Sequence, residues 1–151
     1  MRSLTADWFE VKVKYDKQME DGSQKAVPEL YVFDALSFTE AEEKAIQEAT
    51  HYSSGEVEVK NIKPTPYHEI FFTDNPKDDR YYKAKVQFIV LDEKTGEEKL
   101  SNVYYLVQSN TLQNAVKNIE EVLSSGMQDW KIASVAETSI LDVIPNRSAE
   151  K

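Results

Sequence analysis

At 151 residues the chain is one domain's worth, able to bury roughly 70% of its unfolded surface. It has no cysteine, which excludes disulfides, thiolate metal sites and cysteine nucleophiles together. Its formal net charge of −9 gains nothing from counterion release on DNA or RNA, so direct nucleic-acid binding is not expected. No apolar run approaches the ~18 residues of a membrane span, and Met1 to Asp7 lacks the apolar core of a signal peptide. A cytoplasmic location without membrane contact is the expectation.

Trp8 to Asp16 alternates apolar and polar residues and reads as a strand burying Phe9, Val11, Val13 and Tyr15. Glu20-Asp21-Gly22-Ser23 is a hairpin turn, with glycine supplying positive φ. A second strand is centred on Leu30 to Phe33, where Pro28 argues for an edge or a bulge. Ser37 and Glu40 have capping-box spacing at the head of a helix running to about Thr50. His51 to Gly55 ends it. Glu56 to Ile62 returns as a strand, Pro64-Thr65-Pro66 bends the chain, and Tyr67 to Phe72 forms a short strand.

Residues 73–80, with Asn75-Pro76 and the paired Asp78-Asp79, read as a linker. The plan then recurs. Strands are expected at Tyr81 to Leu91 and Lys99 to Gln108, a helix from about Thr111 to Ser124, and strands at Gln128 to Glu137 and Ile140 to Ile144. Residues 145–151 read as a frayed polar tail.

The recurrence holds residue by residue. Phe9-Glu-Val-Lys-Val-Lys-Tyr15 answers Tyr82-Lys-Ala-Lys-Val-Gln-Phe88, Gly22 answers Gly96 and Tyr31 answers Tyr105, at an offset of 73 or 74 residues. The expected fold is therefore α+β: a single domain of two β-β-α-β-β repeats, 8–72 and 81–144. Its sheet would be mostly antiparallel, with two helices on it, one fused core and a pseudo-two-fold relation. In each copy the alternation slips once, at Val57-Val59-Ile62 and Trp130-Ile132-Val135. A β-bulge at Asn61 and at Ser134 restores the faces, either to bend the strand or to aim a side chain.

The helices differ. Leu112, Ala115, Val116, Ile119, Val122 and Leu123 form a broad apolar stripe, whereas the first helix offers Phe38, Ala41, Ala45, Ile46 and Ala49 with Glu42 among them. Its alanines call for bulky, aromatic residues on the facing sheet. Lys12, Lys14, Lys83 and Lys85 share the polar faces of the first strands, where lysines pair across strands and discourage edge association.

Chemistry-bearing motifs are scarce. His51 and His68 lie in no metal-ligand pattern, and adjacent His68-Glu69 on a strand point to opposite faces, so no metal or other cofactor is expected. Glycine-rich phosphate loops and nucleophile elbows are absent from the sequence. Glu69 and Asp142 hold equivalent places in the two copies; with Tyr31 and His68 they are candidates for an inter-repeat cleft. Glu40, Glu42, Glu43 and Glu48 give the first helix an acidic face, a candidate partner surface. Residues 1–74 carry 8 basic and 15 acidic side chains, against 10 and 12 in residues 75–151.

Trp8-Phe-Glu-Val-Lys-Val, Phe38-Thr-Glu-Ala-Glu and Tyr82-Lys-Ala-Lys-Val resemble an uncharacterised family of small duplicated α+β proteins from bacteria and their phages, over Asp7 to Pro145. The resemblance implies a cytoplasmic bacterial origin and carries no catalytic residues. The functional expectation is a non-enzymatic protein-binding or regulatory module, monomeric or weakly dimeric, with an unknown and possibly basic protein partner. The alternatives are a small-ligand protein or enzyme using a cleft between the repeats, and an acidic nucleic-acid mimic.

Overall fold

A computed structural model describes residues 1–146. In chain order the elements are β1 (Arg2–Leu4), β2 (Trp8–Gln18), β3 (Gln24–Asp34), α1 (Phe38–Thr50), β4 (Ser53–Pro64) and β5 (Tyr67–Phe72). There follow β6 (Arg80–Leu91), β7 (Glu98–Ser109), α2 (Leu112–Ser124), β8 (Trp130–Glu137) and β9 (Ile140–Ile144). Gly22 and Gly96 turn the two long hairpins with φ of 84° and 71°, which a side chain would oppose. Ser37 Oγ accepts from the Glu40 amide at 3.1 Å, and Thr111 Oγ1 caps α2 through the Asn114 amide at 3.1 Å.

The chain divides into two compact units, each built from two stretches of sequence. The α1 unit comprises residues 6–65 and the segment from Ser139 onward. The α2 unit comprises residues 1–5 and 66–138. The chain therefore crosses between units at Thr5/Ala6, Thr65/Pro66 and Thr138/Ser139. At the second crossing the prolines of Pro64-Thr65-Pro66 end the β4 ladder.

In the α1 unit the sheet order is β4-β2-β3-β9; in the α2 unit it is β1-β5-β7-β6-β8. The central hairpins and their outer neighbours β4 and β8 pair antiparallel, whereas β9 joins β3 and β5 joins β7 in parallel. The strand Ile140–Ile144 thus completes the sheet built on the β2–β3 hairpin, and Tyr67–Phe72 the sheet built on the β6–β7 hairpin. Strand β1, which is too short to announce itself in sequence, adds antiparallel to β5.

The sequence-predicted bulges are present one residue early. Lys60 is skipped between the pairs Lys12↔Asn61 and Val13↔Val59, and Ala133 between Lys85↔Ser134 and Val86↔Ile132. Three further shifts have no sequence signal: Leu141 is skipped against β3, His68 against β7, and β4 slips between the pairs Tyr15↔Val57 and Lys17↔Ser53. Pro28 lies in a strand with neighbours on both sides, but β9 covers only Leu30 to Phe33, so the missing N–H leaves no ladder bond unmade there.

The core of the α1 unit packs Ala41, Ala45 and Ala49 against Phe9, Tyr15, Tyr31 and Phe33, so aromatic bulk does fill the side the alanines leave open. The α2 unit reverses the sizes, setting Ile119 and Leu123 against Ala84, Val86 and Val107. Two members of the expected α1 stripe differ: Phe38 and Ile46 remain 53% and 38% exposed. Phe38 still meets Phe9 edge-on at 5.1 Å between ring centroids.

This exchange of sizes predicts opposite failures in the two cores. Ala45→Leu should overpack the α1 unit and cost about 1–3 kcal/mol, while Ile119→Ala should leave a void costing about 2–5 kcal/mol. Urea unfolding measures both, and a neutral Ala45→Leu would contradict the packing described.

Candidate functional site

On the helix side of the α1 unit's sheet, strand period places Tyr15 on β2 and both Glu29 and Tyr31 on β3. The register sets Glu29 opposite Val13 and Tyr31 opposite Val11, so a carboxylate stands among core residues. Two hydroxyls answer it. Tyr15 and Tyr31 both donate to Glu29 Oε1, the latter at 3.2 Å. Helix α1 brings Glu48 alongside, the turn after it brings Tyr52, and Lys17 closes one side.

Strand β9 supplies the remaining wall. Skipping Leu141 sets Asp142 opposite Tyr31, and both Leu141 and Asp142 line the resulting cavity of about 260 Å³. Asp142 Oδ1 accepts from the Val143 amide at 2.9 Å. Burial, followed by the hydrogen bond and charge of Glu29, pushes the Tyr15 hydroxyl far above its ordinary pKa. Burial and then the Glu29 charge do the same to Tyr31. Both side chains thus remain protonated donors at neutral pH, unfit as bases and suited to holding a carboxylate in place.

The corresponding positions of the α2 unit are Phe88, Val103, Tyr105 and Val122, three of them apolar and packed against its core. Tyr105 keeps the aromatic position, with its pKa raised by burial and by Glu69. The fold itself therefore requires neither Tyr15 hydroxyl, Glu29 nor Glu48 at these places.

The sequence-predicted residues are distributed as follows. Tyr31 and Asp142 meet across β3 and β9 in the α1 unit. His68 and Glu69 lie in the α2 unit, with Glu69 opposite Tyr105, His68 Nε2 3.9 Å from Glu69 Oε1 and the His68 ring edge-on to Tyr105. The acidic face of α1 also separates. Glu40 accepts from the Leu36 amide at 2.9 Å and pairs with Lys44 at 3.0 Å, and these two contacts, the amide first, lower its pKa. It is a helix cap. Glu42 and Glu43 face solvent, and Glu48 turns to the cavity.

Sequence reasoning missed Tyr15, Glu29 and Tyr52 as a group. The available signal was Glu29 two residues before Tyr31, hence on the same strand face, where the other copy has Val103. Among the described residues no cluster of three His, Cys, Asp or Glu side chains could hold a metal ion, and no helix is long and apolar enough to cross a membrane.

Two helices on two mixed sheets make this an α+β protein, and its polar centre lies under one helix only. The chain belongs to a family described as a domain of unknown function, DUF4494, which matches residues 7–146. That span agrees with the resemblance carried by the three sequence stretches above. No curated protein and no solved structure matches the chain.

The tyrosine pair predicts a pH dependence with a definite sign. A phenol ordinarily ionises near pH 10; with the folded pKa raised, the folded chain keeps a proton that the unfolded chain releases. The stabilisation is complete below about pH 10 and declines as pH rises above it. Phenolate absorbance should show Tyr15 and Tyr31, among eight tyrosines, ionising only as the chain unfolds. Titration of all eight near pH 10 in the folded state would contradict the cluster.

Proposed function

We propose that this protein is a non-enzymatic binding or regulatory module of the cytoplasm, built from a duplicated β-β-α-β-β unit, and that its α1 unit engages a basic protein partner. The observation that carries this reading is the convergence of two tyrosine hydroxyls on one oxygen of Glu29. That arrangement fixes a carboxylate at the wall of a cavity and leaves Glu29 Oε2 without a hydrogen bond among the described residues. An incoming lysine or arginine side chain supplies the missing donor, and Glu48 adds a second acceptor.

Charge distribution supports the same surface. By sequence, the α1 unit has 9 basic and 15 acidic residues, a balance of −6, while the α2 unit has 9 and 12, a balance of −3. Exposed Glu42 and Glu43 extend the acidic character along α1 beside the cavity. Such a field accelerates encounter with a basic partner and makes the rate fall with salt. The protonated tyrosines supply no general base, so the cluster supports recognition better than catalysis.

Affinity capture from native cells followed by mass spectrometry identifies the partner. The informative variant is Tyr15→Phe/Glu29→Val/Glu48→Val, which installs the α2 unit's residues and should fold. It should weaken association at least about tenfold. Glu42→Lys/Glu43→Lys should slow association and flatten its salt dependence. Full binding by both folded variants would retire this surface.

A further inference from the structure

The opposite face of the same sheet carries a second cavity, of about 390 Å³, where Lys12, Asn61, Lys63 and Ser139 surround Leu30 and Pro28. Its existence follows from two local departures. The first is the bulge in β4: with Lys60 skipped, Asn61 sits opposite Lys12 and Lys63 opposite Glu10, all on the face away from α1. The second is a change of size. In the α2 unit the partner of Lys85 is Tyr104, whose ring also receives Lys83 Nζ at 5.1 Å. In the α1 unit the partner of Lys12 is Leu30, and the residue in the Lys83 position is Glu10, drawn aside to Lys63 at 3.2 Å. An aromatic ring and a lysine cover one surface; a smaller side chain leaves the other open.

The charges select the ligand. Lys63 is compensated by Glu10, whereas Lys12 forms no ion pair among the described residues. The Asn61 amide and the Ser139 hydroxyl likewise make no side-chain hydrogen bond among those residues. Glu29 also lines the cavity, but its register opposite Val13 assigns its side chain to the helix side, where the two tyrosines hold Oε1. One uncompensated cation, two neutral hydrogen-bonding groups and an apolar floor remain.

We propose that this cavity binds a small organic carboxylate with a short apolar body. The carboxylate accepts from the Lys12 ammonium, the Asn61 amide and the Ser139 hydroxyl, and the apolar body lies on Leu30 and Pro28. A single negative charge matches the single unpaired lysine. A phosphate dianion would carry excess charge towards Glu10, and a cation would meet Lys12. The site is separate from the surface proposed for a protein partner, and either can fail without the other.

The test is amide chemical-shift titration of the intact, isotopically labelled chain with butyrate and phenylacetate, with butylamine and inorganic phosphate as controls. Saturable shifts centred on Lys12, Leu30 and Asn61 are expected with at least one carboxylate and with neither control. Lys12→Met, a change at an exposed side chain, should weaken that binding at least about tenfold. Leu30→Tyr keeps every charge but restores the ring of the other unit, and should abolish it. The proposal is overturned if neither carboxylate gives saturable shifts there, if either control binds as well, or if folded Lys12→Met binds unchanged.

Discussion

The parallel pairing of β3 with β9, and of β5 with β7, is the constraint on which the rest of this structure depends. A hairpin such as β2–β3 has a second edge of unpaired amides and carbonyls, and that edge must be covered or protected. Parallel neighbours cannot be joined by a tight turn. Here the covering strand comes from the far end of the described chain, so Tyr31 and its partner Asp142 are more than one hundred residues apart in the chain. Forming such a pair requires long-range closure before its ladder is gained, which ties completion of each sheet to the chain as a whole.

That pairing also builds the candidate site. Tyr15, Glu29 and Tyr31 are placed by a local hairpin, but the wall of Leu141 and Asp142 arrives with β9 and is aimed by a bulge that skips Leu141. The α2 unit has the matching bulge at His68 and the matching pair Glu69 with Tyr105, yet it fills the space with Phe88, Val103 and Val122. One arrangement of strands therefore supports an apolar interior in one unit and a polar cavity in the other. Small alanines on α1 accommodate the tyrosine rings whose hydroxyls hold Glu29, linking the helix composition to the polarity of the site.

Much of this was legible in the sequence. Alternation gave the long strands, Ser37-x-x-Glu40 gave the α1 start, and the slipped alternation at Ile62 and Val135 gave both bulges to within one residue. The destinations of Tyr67–Phe72 and Ile140–Ile144 were not legible, because a short apolar strand has the same pattern whichever sheet receives it. The cavity within the α1 unit was not legible as such, since Tyr31 and Asp142 were expected at a cleft between repeats together with His68 and Glu69. Tyr31 and Asp142 were singled out, but Glu29 resembled any solvated strand carboxylate until its register opposite Val13 placed it among core residues. Glu40 and Glu48 looked alike on a helix face; the Leu36 amide and the cavity separate them.

Backbone nuclear Overhauser contacts between β3 and its parallel neighbour test the account most directly, since they report which strand lies there. The account predicts contacts from Leu30 to Ile140, Tyr31 to Asp142 and Phe33 to Ile144, with a break in register at Leu141. A ladder from Tyr31 to Glu69 in their place would show β5, not β9, beside β3. The wall of the tyrosine–glutamate cavity would then be lost, and the account with it.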